Sequence, residues 1–197
     1  MQNESLMQKA LGEQWQQLPP VLQTHYQYET NSDIGYLNIE YPSYMQLYLT
    51  FLHMLGALIN RRGKEIPTIV EKQMRGDRQY WNRTIHFPNN RNIYFKSVWV
   101  YDRGNELIEY VNRFLGLRMR VHVEDNKLHY EGLHFVLKIG KRLIPIPEWL
   151  FLGHTTIVES QKTNSEFEMN FIMKHPLLGV VFGYTGTFKI ISDLIKK

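Results

Sequence analysis

Hydrophobic residues recur at every second position over most of the chain, which is the pattern of β-strands with one buried face. Hydrophobic residues at helical spacing come first, after Ser5, and a second short helix is predicted from Pro20 to about Gln27. The alternating pattern then predicts strands over residues 33–41, 66–74, 79–87, 92–101, 106–112, 115–123, 128–139, 155–161, 166–174 and 180–191. Short turn sequences separate most of these segments and indicate antiparallel hairpins.

One helix interrupts the strands. The segment Tyr44 to Ile59 is apolar nearly all round, so we predict a largely buried helix that packs against an open side of the sheet. The alternative is a helix that lies in a membrane interface, with Arg61 and Arg62 beside anionic headgroups. We prefer the buried helix because the polar face is thin.

A second interruption covers Leu143 to Phe151, where Pro145 and Pro147 exclude a central strand. One interpretation is a crossover at the end of a barrel that places Trp149 and Phe151 on the core. The other is a lid over a cavity, since long loops often serve as lids.

The pattern as a whole predicts a single α+β domain over residues 1–197. We expect a long curved antiparallel sheet or partly closed β-barrel of about nine strands, with two N-terminal helices and one buried helix. A barrel of about eight strands has an interior that holds packed side chains or one small ligand.

Composition narrows the classes of protein further. Hydrophobic residues make up 43% of the 197 residues, too many for a disordered chain, and the absence of cysteine excludes disulfide scaffolds and thiolate metal centres. The net charge of +4 comes from scattered basic pairs rather than one basic face, so no nucleic-acid partner is predicted. Neither a signal sequence nor a membrane span is predicted, so we expect a cytoplasmic protein.

Candidate chemistry centres on a charged residue in an apolar face. Strand parity places Arg83 beside Trp81 and Ile85, and it places Ser97 and Glu109 on the apolar faces of the next two strands. A buried guanidinium requires a carboxylate or an anionic ligand. Glu109 is the nearest candidate for that carboxylate, and Glu159 is another.

This cluster has two main interpretations. It is an internal ion pair that fixes strand register, or Arg83 holds the acidic head of a mostly apolar ligand with Ser97 or Tyr130 as a second donor. An acid/base reaction that uses Glu109 or Glu159 is a further option. The predicted ligand-binding residues are Arg83, Ser97, Glu109, Tyr130 and Glu159, and no catalytic residue is assigned.

Metals and cofactors are not predicted. The eight histidines include no His-x-His or His-x-x-x-His spacing, so the sequence indicates no metal site. No Gly-x-Gly-x-x-Gly fingerprint for a dinucleotide and no Gly-x-Ser-x-Gly nucleophile motif is present.

Several short segments, taken in order, resemble the family known as domain of unknown function 4166. They are Leu11-Gly12-Glu13-Gln14-Trp15, Leu18-Pro19-Pro20-Val21, Trp81-Asn82-Arg83 with Phe87, Ser97, Glu109, Phe114-Leu115-Gly116, Leu143 to Pro147, His175-Pro176-Leu177-Leu178-Gly179 and Tyr184-Thr185-Gly186. Thr185 departs from the family, in which many members have an arginine. The resemblance implies a fold but no established activity, and it implies that members occur alone or behind an NAD(P)-binding domain similar to saccharopine dehydrogenase.

We therefore expect a protein that binds a small, mostly apolar or amphipathic molecule within the sheet. One alternative is the substrate-side domain of an enzyme that works with a separate NAD(P)-binding, oxidoreductase-type partner, which rests on the family resemblance alone. Another is a protein-interaction module that uses exposed aromatic residues such as Tyr80 or Tyr94. Whether the chain is an enzyme is left open, and the sequence favours that it is not.

Overall fold

The computed structural model describes residues 4–27, 30–88 and 91–191, and its described strands form one antiparallel sheet. These strands are β1 Asn31–Glu40, β2 Gly63–Arg75, β3 Arg78–Phe87, β4 Arg91–Arg103, β5 Glu106–Tyr110, β6 Leu115–Glu124, β7 Lys127–Ile139, β8 Arg142–Ile146, β9 His154–Gln161, β10 Glu166–His175 and β11 Gly179–Ile191. The sheet closes into a barrel because β6 pairs with β7. Ten strands form the barrel, and β8 lies outside it, paired with β7.

The predicted α+β architecture with an antiparallel barrel is confirmed, and the barrel has one strand more than the nine expected. Each alternating segment of the sequence forms a strand. The strand β8 was not predicted, because Pro145 lies within it. Proline is tolerated there because β8 is an edge strand and need not donate a hydrogen bond on its outer side.

Three short α-helices accompany the barrel: α1 Leu6–Leu11, α2 Pro20–His25 and α3 Gln46–Met54. Short 3₁₀-helices cover Gly12–Gln17, Ser43–Met45 and Glu148–Leu150. Ser5 begins α1 as predicted, since its side chain accepts a hydrogen bond from the Gln8 backbone while the Gln8 side chain accepts one from the Ser5 backbone. Pro20 occupies the first turn of α2, also as predicted.

The helix predicted over Tyr44 to Ile59 exists, but the expectation that it is largely buried is wrong for its outer face. Leu49 and Leu52 are completely buried, whereas Leu47 is 85% exposed and Phe51 is 56% exposed. The physical reason is geometric: α3 lies across one end of the barrel, so only one side of the helix meets the core. The apolar residues of the other side face solvent.

The connections between strands alternate between two ends of the barrel. The β1–β2 connection with α3 and the segment 147–153 lie at one end, which we name the α3 end. The helix α2 lies at the opposite end, which we name the α2 end. None of the helices in the described part of the chain has the length and apolar character needed to span a membrane.

Candidate functional site

The barrel surrounds a cavity with about 80 Å³ of space for water-sized contents. It extends from Leu58 and Phe151 at the α3 end to His25 at the α2 end, and most of its wall is aromatic or aliphatic. About 10–15 Å³ on this measure is enough for one water molecule, so the space is larger than a packing defect. Apolar walls favour apolar contents over water.

Arg83 projects from β3 into this apolar interior, and its side chain is 14% exposed. Its Nη1 donates to Oγ of Ser97 at 2.8 Å, and its Nη2 donates to Oε1 of Glu109 at 3.1 Å. The guanidinium carbon also lies 4.9 Å from the ring centre of Trp81 and 5.2 Å from that of Phe95. Two hydrogen bonds and two aromatic faces thus hold the charge in one place.

The predicted cluster of Arg83, Ser97 and Glu109 is therefore present as a set of contacts. Of the two candidate carboxylates, Glu109 bonds the guanidinium, whereas Glu159 bonds Tyr26 instead. Arg83 and Glu109 line the cavity, and Ser97 reaches it only through Arg83. The role of these residues in binding a ligand stays a prediction.

A second charged group at the α2 end was not predicted. Nζ of Lys72 lies 2.9 Å from Oδ2 of Asp33, 2.7 Å from the carbonyl oxygen of His25 and 2.7 Å from its Nδ1. The ammonium is therefore surrounded by the Asp33 carboxylate and two polar atoms of His25. All three side chains are almost completely buried.

Protonation in this group follows from burial. Burial lowers the pKa of His25 to about 4 although Asp33 opposes the shift, so the imidazole is neutral at neutral pH. Burial also lowers the pKa of Lys72, with Asp33 opposing. Nδ1 of His25 lies 2.7 Å from Nζ of Lys72 and 3.0 Å from Oδ2 of Asp33, so it contacts both the ammonium and the carboxylate.

Buried polar atoms of this group remain available to a ligand. Nε2 of His25 and Oδ1 of Asp33 are buried and have no hydrogen-bond partner within the described residues. Both side chains line the cavity. They therefore provide polar contacts at the α2 end, where a buried polar atom without a partner costs free energy.

A hydrogen-bond chain connects Tyr130, Tyr26 and Glu159. The Tyr130 hydroxyl donates to the Tyr26 hydroxyl, which donates to Oε2 of Glu159 at 2.7 Å. Glu159 is completely buried, and burial raises its pKa to about 7. Neither Tyr130 nor Glu159 lines the cavity, so their predicted contact with a ligand has no direct geometric support.

The sequence indicates some of the unpredicted site residues more clearly than others. Lys72 and Asp33 lie on the inward faces of β2 and β1, at the same parity as Val70 and Leu37. A charged residue on an apolar face is the same signal that identified Arg83, so it was available for both. His25 and Tyr26 end a short helix and carry no such signal.

One candidate metal centre lies elsewhere, on the outer face of the β6–β7 hairpin. His122 and His129 are directly opposite each other, and they form with Glu124 a group whose ligand atoms lie within 4.8 Å of one another. Spacing along a single strand does not indicate this group, because the two histidines meet across two strands. Lys127 stands opposite Glu124 in the same hairpin. The prediction of no bound metal is untested.

These features define an antiparallel β-barrel with a mostly apolar cavity that contains buried charged groups. The chain belongs to the family described as domain of unknown function (DUF4166), which matches residues 18–188. The family resemblance predicted from the sequence is thereby confirmed. No curated protein and no solved structure matches the chain.

Proposed function

We propose that the protein binds a small, mostly apolar molecule in the barrel cavity. The single observation that carries this proposal is an apolar cavity with the guanidinium of Arg83 in its wall. Ligand sites commonly combine apolar walls with a few polar groups that fix orientation. Lipid binding of this kind is the function that the geometry supports best.

The charged groups indicate what the ligand carries. Arg83 has Glu109 as a neighbour, so an acidic headgroup would compete with that carboxylate for Nη2. Nε2 of His25 and Oδ1 of Asp33 would accommodate a small polar group that can donate to the carboxylate, such as a hydroxyl. We therefore propose an amphipathic ligand with one small polar group, which Arg83 orients.

Tryptophan fluorescence tests this proposal directly, because Trp81 lines the cavity and contacts Arg83. Titration with octanoate and with 1-octanol should change the emission in a saturable way. Arg83→Met should weaken octanoate binding by roughly tenfold or more, the effect of losing one charge-assisted contact, and should weaken 1-octanol less.

Arg118→Met is a matched control. Arg118 is also 14% exposed, and it pairs with Asp102 and Glu106 without lining the cavity. It should bind both probes as the unaltered protein does. If Arg83→Met and Arg118→Met weaken saturable binding equally, Arg83 has no specific role in recognising the ligand. Absence of saturable binding for both probes would contradict the proposal.

We also propose that the protein is cytoplasmic. The alternatives of an oxidoreductase-type partner and of an interaction module around Tyr94 stay predictions. Tyr94 is 66% exposed on the wall of the barrel, which leaves it accessible.

A further inference from the structure

Large exposed hydrophobic side chains are concentrated at the α3 end of the barrel. Fourteen of the eighteen found in the described residues lie there: Tyr44, Leu47, Phe51, Met54, Leu55, Phe114, Ile139, Leu143, Ile144, Trp149, Leu150, Leu177, Leu178 and Val180. We name this set the α3-end surface. Single exposed apolar residues need no explanation, whereas a concentration of this size marks an interaction site.

Hydrogen bonds join the separate segments of the α3-end surface. The Tyr44 hydroxyl donates to the carbonyl oxygen of Leu178 at 3.0 Å, and the Asn112 amide donates to that of Leu55 at 2.8 Å. Nε2 of His175 lies 2.9 Å from the carbonyl oxygen of Trp149. The helix, the β10–β11 turn and the segment 147–153 therefore form one continuous surface.

The segment that presents Trp149 and Leu150 is fixed from below by Glu148. The carboxylate of Glu148 accepts a hydrogen bond from the Thr155 backbone at 3.0 Å and contacts Nδ1 of His154 at 2.7 Å. Its backbone carbonyl accepts three further hydrogen bonds, from the amides of residues 151–153. Trp149 and Leu150 are thus exposed on a backbone that hydrogen bonds hold in place.

Charge is distributed unevenly between the two ends of the barrel. In the described connections at the α3 end the charged residues are Arg61, Arg62, Arg113, Lys141 and Glu148, of which Glu148 is buried. At the α2 end they are Glu4, Lys9, Glu13, Asp77, Asp125 and Lys162. Where strands begin or end near the α3 end there are also two exposed acids, Glu40 and Glu65, and three exposed basic residues, Lys64, Arg142 and Lys174. The apolar surface therefore has a basic margin.

We propose that the α3-end surface docks on an anionic lipid membrane. Exposed apolar side chains with basic residues at their margin match the two parts of a membrane interface, its acyl boundary and its anionic headgroups. Leu47 and Leu177 project singly, at 85% and 88% exposure, which suits a fluid lipid layer that needs no complementary pocket. A tryptophan and a tyrosine, Trp149 and Tyr44, are side chains typical of this interface.

The docking surface also covers the cavity. Leu58, which follows α3, and Phe151, which follows Trp149, both line it. A docked barrel would therefore present the cavity's α3 end to the lipid. Docking does not depend on the proposed function, because a barrel that binds no ligand could still use this surface.

Vesicle co-sedimentation tests the proposal with phosphatidylcholine vesicles that contain or lack phosphatidylglycerol. The protein should sediment with the anionic vesicles, bind the neutral vesicles more weakly and lose affinity as salt is raised. Of the four tryptophans, Trp149 alone is exposed, so binding should shift the emission to shorter wavelength. Loss of that shift in Trp149→Ser would assign it to this residue.

Paired variants separate the apolar and charged contributions. Leu47→Gln/Leu177→Gln should reduce partitioning by roughly tenfold or more, since both side chains would leave the lipid. Arg113→Gln/Lys141→Gln should reduce binding to anionic vesicles and leave binding to neutral ones unchanged. The matched controls are Tyr36→Gln on the barrel wall and Arg75→Gln/Arg78→Gln at the α2 end, and both should bind normally. All four variants, the two tests and the two controls, replace exposed side chains.

Several results would overturn the proposal. Failure to bind anionic vesicles would do so, and so would equal losses in the α3-end variants and their controls. A concentration-dependent dimer in sedimentation velocity, abolished by Leu47→Gln/Leu177→Gln and accompanied by no vesicle binding, would assign the surface to a second copy of this chain. Ligand titration of the same variants shows separately whether the cavity proposal holds.

Discussion

The ammonium of Lys72 lies 2.9 Å from the carboxylate of Asp33, and both side chains are completely shielded from solvent. The same ammonium donates to the carbonyl oxygen of His25, so the pair joins the barrel to α2. Removing two charges from water offsets most of the attraction between them. The pair therefore contributes little net stability while both members remain, and much instability when one is removed.

Lys72→Met should lower the free energy of unfolding by about 3–5 kcal/mol, because it leaves the Asp33 carboxylate buried without its cation. The double variant Asp33→Leu/Lys72→Met should recover a large part of that loss, since no charge is then stranded. Urea unfolding of the two variants and of the unaltered protein measures both effects.

An exposed ion pair provides the control. Nζ of Lys162 lies 2.9 Å from Oε1 of Glu168, and both side chains are about half exposed. Lys162→Met should leave the urea midpoint almost unchanged, because exposed pairs are screened by solvent. The buried pair would have no special role if Lys72→Met and Lys162→Met lowered the midpoint equally.

Glu159 and His25 should make stability depend on pH in opposite directions. Burial raises the pKa of Glu159 from 4.5 to about 7, so the folded state holds an extra proton between these values and stability falls as the pH rises through them. Burial lowers the pKa of His25 from 6.5 to about 4, so the folded state holds fewer protons there and stability rises with pH. The two slopes largely cancel between pH 4.5 and 6.5.

Glu159→Gln should remove one of these slopes. Relative to the unaltered protein, the variant should gain about 3 kcal/mol of unfolding free energy between pH 4.5 and 7, the equivalent of the raised pKa. Unfolding curves at successive pH values measure the difference. A curve for Glu159→Gln that runs parallel to that of the unaltered protein would show that Glu159 does not hold a proton in the folded state.

The strands could be predicted because a half-buried strand leaves a period of two in the sequence. The same parity placed Arg83 inside and identified Glu109 as its neighbour. It could not show that α3 exposes an apolar face, because an all-apolar helix looks the same in sequence whether it is enclosed or lies on a surface. That distinction depends on what the rest of the chain provides to cover it.

Contacts between segments far apart in the sequence could not be predicted either. Tyr26 reaches Glu159 from a short helix 133 residues away, and no local pattern records that approach. His122 meets His129 only because the β6–β7 register places them opposite each other. Parity assigns a residue to a face of the sheet, but register and helix placement decide which residues meet on it.

Gly132 makes room for the carboxylate that fixes the segment 147–153. A Cβ at this position would overlap Oε1 of Glu148, the atom that accepts the Thr155 backbone hydrogen bond. Gly132→Ala should therefore displace Glu148 and lower the free energy of unfolding by about 1–3 kcal/mol, the usual cost of overpacking. It should also increase acrylamide quenching of Trp149, because the segment loses its anchor.

The same substitution should cost much less in a Glu148→Ala background, where the overlapping atom is absent. Additive losses in the double variant would show that the two residues act independently and that Gly132 is needed for another reason.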